Sequence, residues 1–284
     1  MEFRFYGWAR VLLLIIPYLI IVGLFQFGGM ILAGVNYDYD SQIEETSLQR
    51  LVVQFSNLFG NFLVLWIFMK YVDKEKFIEL GFHIRSKLNH FIVGLILGAL
   101  IMCVGYLLLV SIEEITFQSI SFNFIEILIS LGIFTIVAFV EETLFRGYVL
   151  RNFMRSFNKY LALLVSSFLF AALHGFNPNF DMLSFLSLFL AGMALGISYI
   201  YTKNLWFPIG LHLSWNFFQS IFGFNVSGQN FYSLFQTQIT SETLLNGGEF
   251  GFENSILGII AEIAIVLMIF LYFTFWKPGK TIPV

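Results

Sequence analysis

The stretch VLLLIIPYLIIVGLFQFGGMILAG, residues 11–34, runs for 24 residues without a charged side chain. A helix rises about 1.5 Å per residue, so this segment is long enough to cross the hydrocarbon core of a bilayer. No small-residue cleavage site closes the segment, and we therefore interpret it as a retained membrane helix rather than as a signal peptide.

The whole chain shares this apolar character. Of its 284 residues, 58% are apolar and only 12% are charged, and the mean hydropathy is +0.82. Because a soluble domain has about 25% charged residues, this balance argues against a soluble enzyme and excludes a disordered chain. We predict an all-α fold, a polytopic membrane helical bundle with about eight transmembrane helices, at 11–34, 48–70, 90–110, 122–146, 159–175, 180–201, 206–224 and 255–276.

The cysteine content and the net charge limit which bonds and binding partners the chain can have. Cys103 is the single cysteine, so a disulfide framework cannot form. The net charge is −3 and the chain has no basic tract, so we expect no nucleic-acid partner. The partner that the composition does predict is the lipid bilayer.

Lysine and arginine predict the orientation, because short cytoplasmic loops retain them. In the eight-span arrangement every Lys and Arg except Arg50 falls on one side. The opposite loops carry acids instead, namely Asp38, Asp40, Glu44, Glu45, Glu113, Glu114, Asp181, Glu242 and Glu249. We predict that both termini are cytoplasmic, an asymmetry that fits a prokaryotic plasma membrane. The mixed apolar and basic segment 71–89 is predicted either as an amphipathic interfacial helix or, equally well, as a solvated loop.

Ionisable residues inside a span are costly and usually functional. We expect Glu126 and Glu262, each taken alone, to be paired structurally. In FVEETLFRG (139–147), Glu142 and Arg146 are i,i+4 on a helix and suit an ion pair. Glu141 is rotated about 100° away and is free to face a cavity as a candidate general base. The alternative is a salt-bridged helix end with Glu141 solvated.

Two further spans carry histidines. His174 ends the fifth span in FLFAALHG (168–175), four residues after Phe170, and alone it would suit an interfacial position. His212 and Asn216 are i,i+4 in GLHLSWNF (210–217), and two such donors suit a developing oxyanion. The alternative for that pair is hydrogen bonding between helices. Together the three stretches supply a base, an imidazole and two donors, which is the set needed for attack of water on a carbonyl.

Several common catalytic motifs are missing from the sequence. It has no H-E-x-x-H, no G-x-S-x-G and no phosphate-binding loop, so the usual zinc-helix, serine and nucleotide-dependent chemistries lose support. We expect no cofactor, because Glu and His suffice without a metal. A zinc site is left open, with Glu141, His174 and His212 as its ligands.

These residues resemble a known family. EETLFR (141–146), FAALH (170–174) and HLSWN (212–216) match, in order, the E-E-x-x-x-R, F-x-x-x-H and H-x-x-x-N motifs of the CPBP intramembrane proteases, which include CAAX prenyl proteases and bacteriocin-processing or immunity proteins. GGEFGFENS (247–255) is similar to a glycine-rich segment before the last helix of bacterial members.

The resemblance implies roles for single residues. Glu141 and His174 become the water-activating pair, and His212 and Asn216 become the oxyanion donors. Supporting roles fall to Glu142, Arg146 and Phe170. It also divides the chain into N-terminal membrane helices, a catalytic membrane core, and a glycine-rich external loop with the last helix, at 1–119, 120–225 and 226–284.

The function we predict is an intramembrane endopeptidase that acts on a membrane-associated protein or peptide. A prenylated CAAX protein and a bacteriocin precursor are both candidate substrates. The alternatives are a non-enzymatic immunity or scaffold protein and a proton-coupled transporter. One conflict stands against the prediction. The predicted spans put Glu141 in the cytoplasmic half and His174 at the far end of its helix, so we hypothesise that the fifth span starts or stops inside the membrane.

Overall fold

A computed structural model describes residues 6–35, 45–85 and 87–276. Part of the charge prediction falls on residues outside these ranges, namely Arg4, Asp38, Asp40, Glu44, Lys277 and Lys280. The described residues form a helical bundle, which confirms the predicted fold class. The α-helices are α1 Gly7–Ala33, α2 Ser47–Ile67, α3 Leu88–Ser111, α4 Phe124–Glu142, α5 Arg151–Phe153, α6 Lys159–Leu173, α7 Met182–Thr202, α8 Trp206–Ile221 and α9 Ile256–Leu271.

Shorter helical turns extend or join these elements. Wider π-helical turns continue α2, connect α4 to α5 and continue α9, at Phe68–Asp73, Thr143–Leu150 and Tyr272–Trp276. Tight 3₁₀ turns lie at Phe77–Leu80, His174–Phe176 and Phe252–Asn254. Seven of the resulting helical stretches are long and apolar enough to cross a membrane, and they coincide with seven of the eight predicted spans.

The remaining predicted span, 206–224, forms α8. This helix has 16 residues and is about 24 Å long, less than the roughly 30 Å of a bilayer core. It packs closely along α3. A Cβ atom built at Gly94 would lie 2.4 Å from the Phe207 carbonyl oxygen, and one at Gly210 would lie 2.3 Å from the Phe91 carbonyl oxygen. Small residues thus let the two backbones approach closely and hold α8 inside the bundle.

The fourth helix is longer than predicted. Helical structure continues without a break from Phe124 through the π segment to Phe153, whereas the predicted span ended at residue 146. The prediction was wrong because it treated Arg146 as the charged end of a span. In the structure Arg146 is buried, with a side chain only 2% exposed, and the helix runs on for two more turns.

Segment 71–89 does not form an amphipathic α-helix in its described part. Between Lys74 and the start of α3 it holds the four-residue 3₁₀ turn Phe77–Leu80 and irregular backbone. Phe77 and Phe82 pack against the core, and Phe82 stacks on Phe139 with ring centroids 6.3 Å apart. The Leu80 carbonyl oxygen accepts a hydrogen bond from the Tyr199 hydroxyl at 2.9 Å. These contacts hold the segment against the bundle, and it does not form the amphipathic helix that its mixed apolar and basic sequence allowed.

Two short strands were not predicted. β1 (Thr116–Ile120) and β2 (Phe235–Gln238) pair antiparallel, from Thr116 opposite Gln238 to Ile120 opposite Phe235. The sheet ties the connection before α4 to the long segment between α8 and α9. That long segment is therefore anchored at the end of the bundle where α4 begins.

Arg50 lies at the end of the bundle opposite to Arg10 and Arg155. Arg10 and Arg155 both contact Asp73, which follows the end of α2. Arg50 lies near the start of the same helix and donates a hydrogen bond to the Asn230 carbonyl oxygen at 2.8 Å. That the end with Asp73 faces the cytoplasm stays a prediction.

Candidate active site

Glu141 lies inside a helical stretch rather than at its end. It is 12 residues, or about 18 Å, before Phe153. His174 follows α6 and is 15 residues, or about 22 Å, from Lys159. Since only a short loop joins Phe153 to Lys159, the two side chains reach nearly the same depth. The depth conflict in the sequence prediction came from ending the fourth span too early.

The helix that carries Glu141 changes from α- to π-helical just after this residue. The α-helical pattern ends at Glu142 and the π segment begins at Thr143. The side-chain amide of Asn61, fully buried on α2, donates to the Val140 carbonyl oxygen at 2.9 Å. Such π turns are often found at functional sites, because they rotate side chains out of the regular helical order.

Glu141 lies close to both His174 and His212. Its Oε2 atom lies 3.9 Å from Nε2 of His174 and 3.9 Å from Nε2 of His212. These separations exceed a direct hydrogen bond, and Oε2 accepts no hydrogen bond from the described residues. The Glu141 side chain is 26% exposed and faces a cavity. The alternative of a fully solvated Glu141 at a helix end is therefore wrong.

The two imidazole rings are oriented by their other nitrogens. Nδ1 of His174 donates to the Phe170 carbonyl oxygen at 2.7 Å, since a carbonyl can only accept. Nδ1 of His212 lies 2.8 Å from Oε1 of Glu142 and donates to that carboxylate. Both rings thus present Nε2 to Glu141. This assignment follows from the hydrogen-bond partners.

The predicted pair of Glu142 and Arg146 is formed. Oε1 of Glu142 accepts from Nη1 of Arg146 at 2.9 Å, and both side chains are almost completely buried. Arg146 also donates from Nη2 to the Gly192 carbonyl oxygen at 3.1 Å, and its guanidinium lies 4.5 Å from the centre of the Phe170 ring. Glu142 therefore links the first and third motifs through His212, a contact that the sequence did not predict.

The cavity beside these residues has a volume of about 190 Å³. All four predicted catalytic residues line it, including the half-buried Asn216. The same cavity is lined by further polar residues that the sequence analysis did not place there, namely Gln54, Asn177, Ser227, Gln229, Glu253 and Glu262.

The glycine-rich segment folds over the cavity. Glu253 accepts hydrogen bonds from the backbone amide of Ser227 at 2.6 Å, from the Ser227 hydroxyl at 3.0 Å and from the Gln219 amide. Burial raises the pKa of the Glu253 carboxyl above its usual range, although the hydrogen bonds from Gln219 and Ser227 oppose this effect. Gly251 adopts φ +123, which favours glycine, and thereby lets the chain turn inward.

The expected structural pairing of Glu262 is wrong. This residue of α9 is 2% exposed, and neither carboxyl oxygen has a hydrogen-bond partner within the part of the chain that the structure describes. Glu126, for which the same pairing was expected, has one buried oxygen, Oε2, without such a partner.

The side chains that the sequence left open as zinc ligands, Glu141, His174 and His212, are spaced more widely around Glu141 than zinc ligands are. Two ligand atoms of tetrahedral zinc are about 3.3 Å apart, given zinc–nitrogen and zinc–oxygen bonds of about 2.0–2.1 Å. The 3.9 Å separations around Glu141 are wider. Over residues 6–35, 45–85 and 87–276, no group of three His, Cys, Asp or Glu side chains is arranged to hold a metal ion.

The helices and the site define the class of this protein, and the sequence comparisons show which family it resembles. Seven apolar, membrane-length helices make this an integral membrane protein, and a partly buried glutamate–histidine cluster lies within it. Residues 123–218 match the family of Rce1-like type II CAAX prenyl endopeptidases. The matched segment contains all three motifs, which confirms the resemblance to the CAAX proteases.

The similarity to a curated protein covers only part of the chain. An uncharacterized 24.3 kDa protein of Escherichia coli is 34% identical over 99 residues, which is 34% of this chain and 45% of that protein. The chain thus spans less than half the length of this curated relative. No solved structure matches the chain.

Proposed function

We propose that the protein is an intramembrane endopeptidase that uses water activated by Glu141 and His174 to hydrolyse a membrane-associated protein or peptide. The single observation that carries the proposal is the position of Glu141 Oε2, 3.9 Å from two imidazole nitrogens and facing the cavity. The match to a family of endopeptidases over residues 123–218 supports the same chemistry.

The gap between Glu141 and His174 suits a water molecule. A water oxygen about 2.8 Å from Glu141 Oε2 and from His174 Nε2 can donate one hydrogen bond to each. Its lone pair is then directed into the cavity. As that oxygen bonds to the carbonyl carbon of the substrate, one water proton passes to Glu141. The resulting tetrahedral intermediate carries its negative charge on the former carbonyl oxygen.

His212 and Asn216 would stabilise that charge. They lie four residues apart on α8 and both line the cavity. A doubly protonated His212 donates through Nδ1 to Glu142 and presents Nε2–H to the oxyanion, while the Asn216 amide supplies a second donor. The intermediate collapses when the C–N bond breaks, and Glu141 returns the proton to the leaving amine.

Glu142 and Arg146 would hold this machinery in place. Arg146 neutralises Glu142, and Glu142 fixes the His212 ring through Nδ1. Phe170 positions both Arg146 and His174, because its ring contacts each of them. These three residues therefore act through the catalytic groups without touching the substrate.

The cavity lining supports a substrate class, and the charge pattern supports a location. Apolar side chains of Phe134, Val137, Leu188 and Leu195 line the cavity and suit an apolar or lipid-modified peptide. A prenylated CAAX protein fits the family description, and a bacteriocin precursor is the second candidate. We place the protein in a prokaryotic plasma membrane on its charge pattern.

The test uses purified protein in detergent and a quenched peptide library that includes farnesylated peptides. Wild type is compared with Glu141→Ala, with and without a metal chelator. We expect cleavage by wild type alone, unchanged by the chelator. Cleavage by Glu141→Ala would contradict the role of Glu141, and activity lost to chelator and restored by zinc would contradict the metal-free mechanism. Absence of cleavage by both proteins would favour an immunity, scaffold or transport role.

A further inference from the structure

Two carboxyl groups line the cavity without belonging to any of the three motifs. Glu253 lies in the 3₁₀ turn Phe252–Asn254, and Glu262 lies on α9. Both are buried, at 5% and 2% exposure. The proposed hydrolysis uses neither of them, so their presence in the same cavity calls for a separate role.

Glu253 is held in a built site. The Ser227 amide and hydroxyl both donate to its Oε1 atom, at 2.6 and 3.0 Å, and the Gln219 amide donates to its Oε2 atom. Ser227 adopts φ +49, a left-handed conformation that is uncommon outside glycine. The loop is therefore shaped to direct two donors at one carboxyl oxygen, and these donors favour its charged form.

Glu262 has the opposite environment. Its two carboxyl oxygens have no hydrogen-bond partner among the described residues, although the side chain faces the cavity. Its electrostatic interaction with Glu253 is a repulsion between two carboxylates, which a bound cation would relieve. A buried carboxyl without partners is costly in a membrane helix and usually marks a ligand or proton site.

The charge of the cavity indicates what the ligand is. Three glutamates, Glu141, Glu253 and Glu262, line it, and no Lys or Arg is among the described lining residues. The positive charge of a protonated His212 is balanced by Glu142, which lies 2.8 Å from its Nδ1 atom. The nearby Arg146 is already bound by Glu142 and by the Gly192 carbonyl oxygen. An occupant with a positive charge would satisfy the unpartnered carboxyl, whereas a carboxylate would be repelled.

We propose that Glu253 and Glu262 form a subsite that binds a basic side chain, Lys or Arg, of the substrate peptide at a fixed position near the scissile bond. This inference rests on the proposed function, because it names the substrate class for the same cavity. The apolar lining would contact the flanking residues, and the carboxyl pair would set the register of the peptide relative to Glu141.

Cleavage of a scanned peptide series tests the subsite. Quenched apolar peptides carry a single Arg at each position in turn, and matched peptides carry citrulline, which has the same shape without the charge. We expect wild type to prefer Arg over citrulline at one position by at least about tenfold in kcat/KM, since hydrogen bonds to charged groups contribute about 1.5–3 kcal/mol. In Glu262→Gln the ratio should fall towards one.

A matched control comes from the same glycine-rich segment. Glu249 is exposed and does not line the cavity, so Glu249→Gln should keep the wild-type preference for Arg. Gel filtration and thermal unfolding of each variant establish that it is folded. Because Glu262 has no hydrogen-bond partner in the described structure, the Gln variant should fold as well as wild type.

Binding is measured in parallel so that the subsite is tested even without turnover. Labelled Arg and citrulline peptides are titrated by fluorescence anisotropy into Glu141→Ala and into the double variant Glu141→Ala/Glu262→Gln. Tighter binding of the Arg peptide that is lost in the double variant supports the subsite, and equal binding of the two peptides overturns it. If wild type cleaves peptides without preferring Arg, the subsite is overturned and the peptidase function is supported. If Arg peptides bind preferentially but wild type does not cleave them, the subsite is supported and the peptidase function is overturned.

Discussion

The protein contains two polar clusters that differ in how their charges are satisfied. We call the first the closed network, formed by Arg10, Asp73, Glu75, Tyr148, Arg151 and Arg155. In it Asp73 accepts from Arg10 at 2.6 Å, from Arg155 at 3.1 Å and from the Tyr148 hydroxyl at 3.0 Å. We call the second the open cluster, formed by Glu141, His174, His212 and Asn216. Its glutamate approaches the two histidines no closer than 3.9 Å, beside a cavity of about 190 Å³.

The closed network has the character of a scaffold, and the open cluster has that of a reactive site. Both clusters contain a glutamate, so the presence of that residue alone does not distinguish them. Groups that satisfy one another stabilise the fold. Groups that leave a gap at a cavity can bind water or substrate, and they are held there by second contacts such as Glu142 to His212.

The largest expected effect on stability is in the closed network. Asp73→Asn removes the charge that neutralises Arg10 and Arg155, and Arg10 is only 9% exposed. Removing one partner of a buried ion pair costs about 3–5 kcal/mol, so the unfolding free energy in detergent should fall by about that amount. Glu79→Gln is the control, because the ion pair of Glu79 with His83 is exposed and should contribute less than about 1 kcal/mol. If Asp73→Asn is as stable as wild type, the closed network does not stabilise the fold more than the open cluster does.

A smaller effect, on catalysis, is expected from the open cluster. Asn216→Ala removes one proposed oxyanion donor and should lower kcat about 10²–10³-fold, with little change in KM, because the donor acts mainly in the transition state. Steady-state kinetics on a cleaved peptide measure both constants. The exposed Asn230 lies outside the cavity lining, and Asn230→Ala should keep the wild-type kcat. A raised KM with unchanged kcat would make Asn216 a binding residue instead.

Glu262 should respond to substitution in the opposite way to Asp73. Its carboxyl has no hydrogen-bond partner in the described structure, so Glu262→Met removes an uncompensated polar group and should raise the unfolding free energy by about 1–3 kcal/mol. Thermal unfolding in detergent measures the change. A loss of stability would show that Glu262 is satisfied after all and belongs with the scaffold.

The smallest effect depends on pH. Burial raises the pKa of Glu75, but the contacts with Arg151 and Arg155 lower it more, and the net result lies below its ordinary value of 4.5. A lowered pKa stabilises the fold above pH 4.5, and this contribution is lost as the pH falls through the folded-state pKa. Because Glu75 is 31% exposed, the contribution should stay below about 1 kcal/mol.

The measurement is the unfolding free energy of wild type against Glu75→Gln over a pH series. The difference should be present at pH 7 and shrink below pH 4.5. A difference that grows in acid would mean that Glu75 is destabilised by its surroundings.

The helix positions were predictable because an apolar run of about 20 residues is a strong local signal. The error at the end of the fourth span has a physical cause. Hydropathy treats Arg146 as a residue that must leave the membrane, whereas its partners Glu142 and Gly192 allow it to stay buried. The strands β1 and β2 were missed because four or five residues carry too little pattern to predict pairing across the chain.

The site was predictable where its contacts are local. The pair of Glu142 with Arg146 and the common helix face of His212 and Asn216 follow from i,i+4 spacing. The contacts of Ser227 with Glu253 join distant parts of the chain, so spacing could not reveal them. The glycines of residues 247–251 were the available signal, since positive φ values let this segment turn inward.

The most direct test of the account compares Glu141→Gln with Asp73→Asn in one set of preparations, each measured for kcat/KM and for thermal unfolding. We predict that Glu141→Gln lowers kcat/KM by about 10²–10⁴-fold and leaves the unfolding temperature unchanged, because the open cluster does not hold the fold together. Asp73→Asn should lower the unfolding temperature while its folded fraction keeps its activity. Normal cleavage by Glu141→Gln, or a loss of cleavage that accompanies unfolding to the same extent as in Asp73→Asn, would contradict the account.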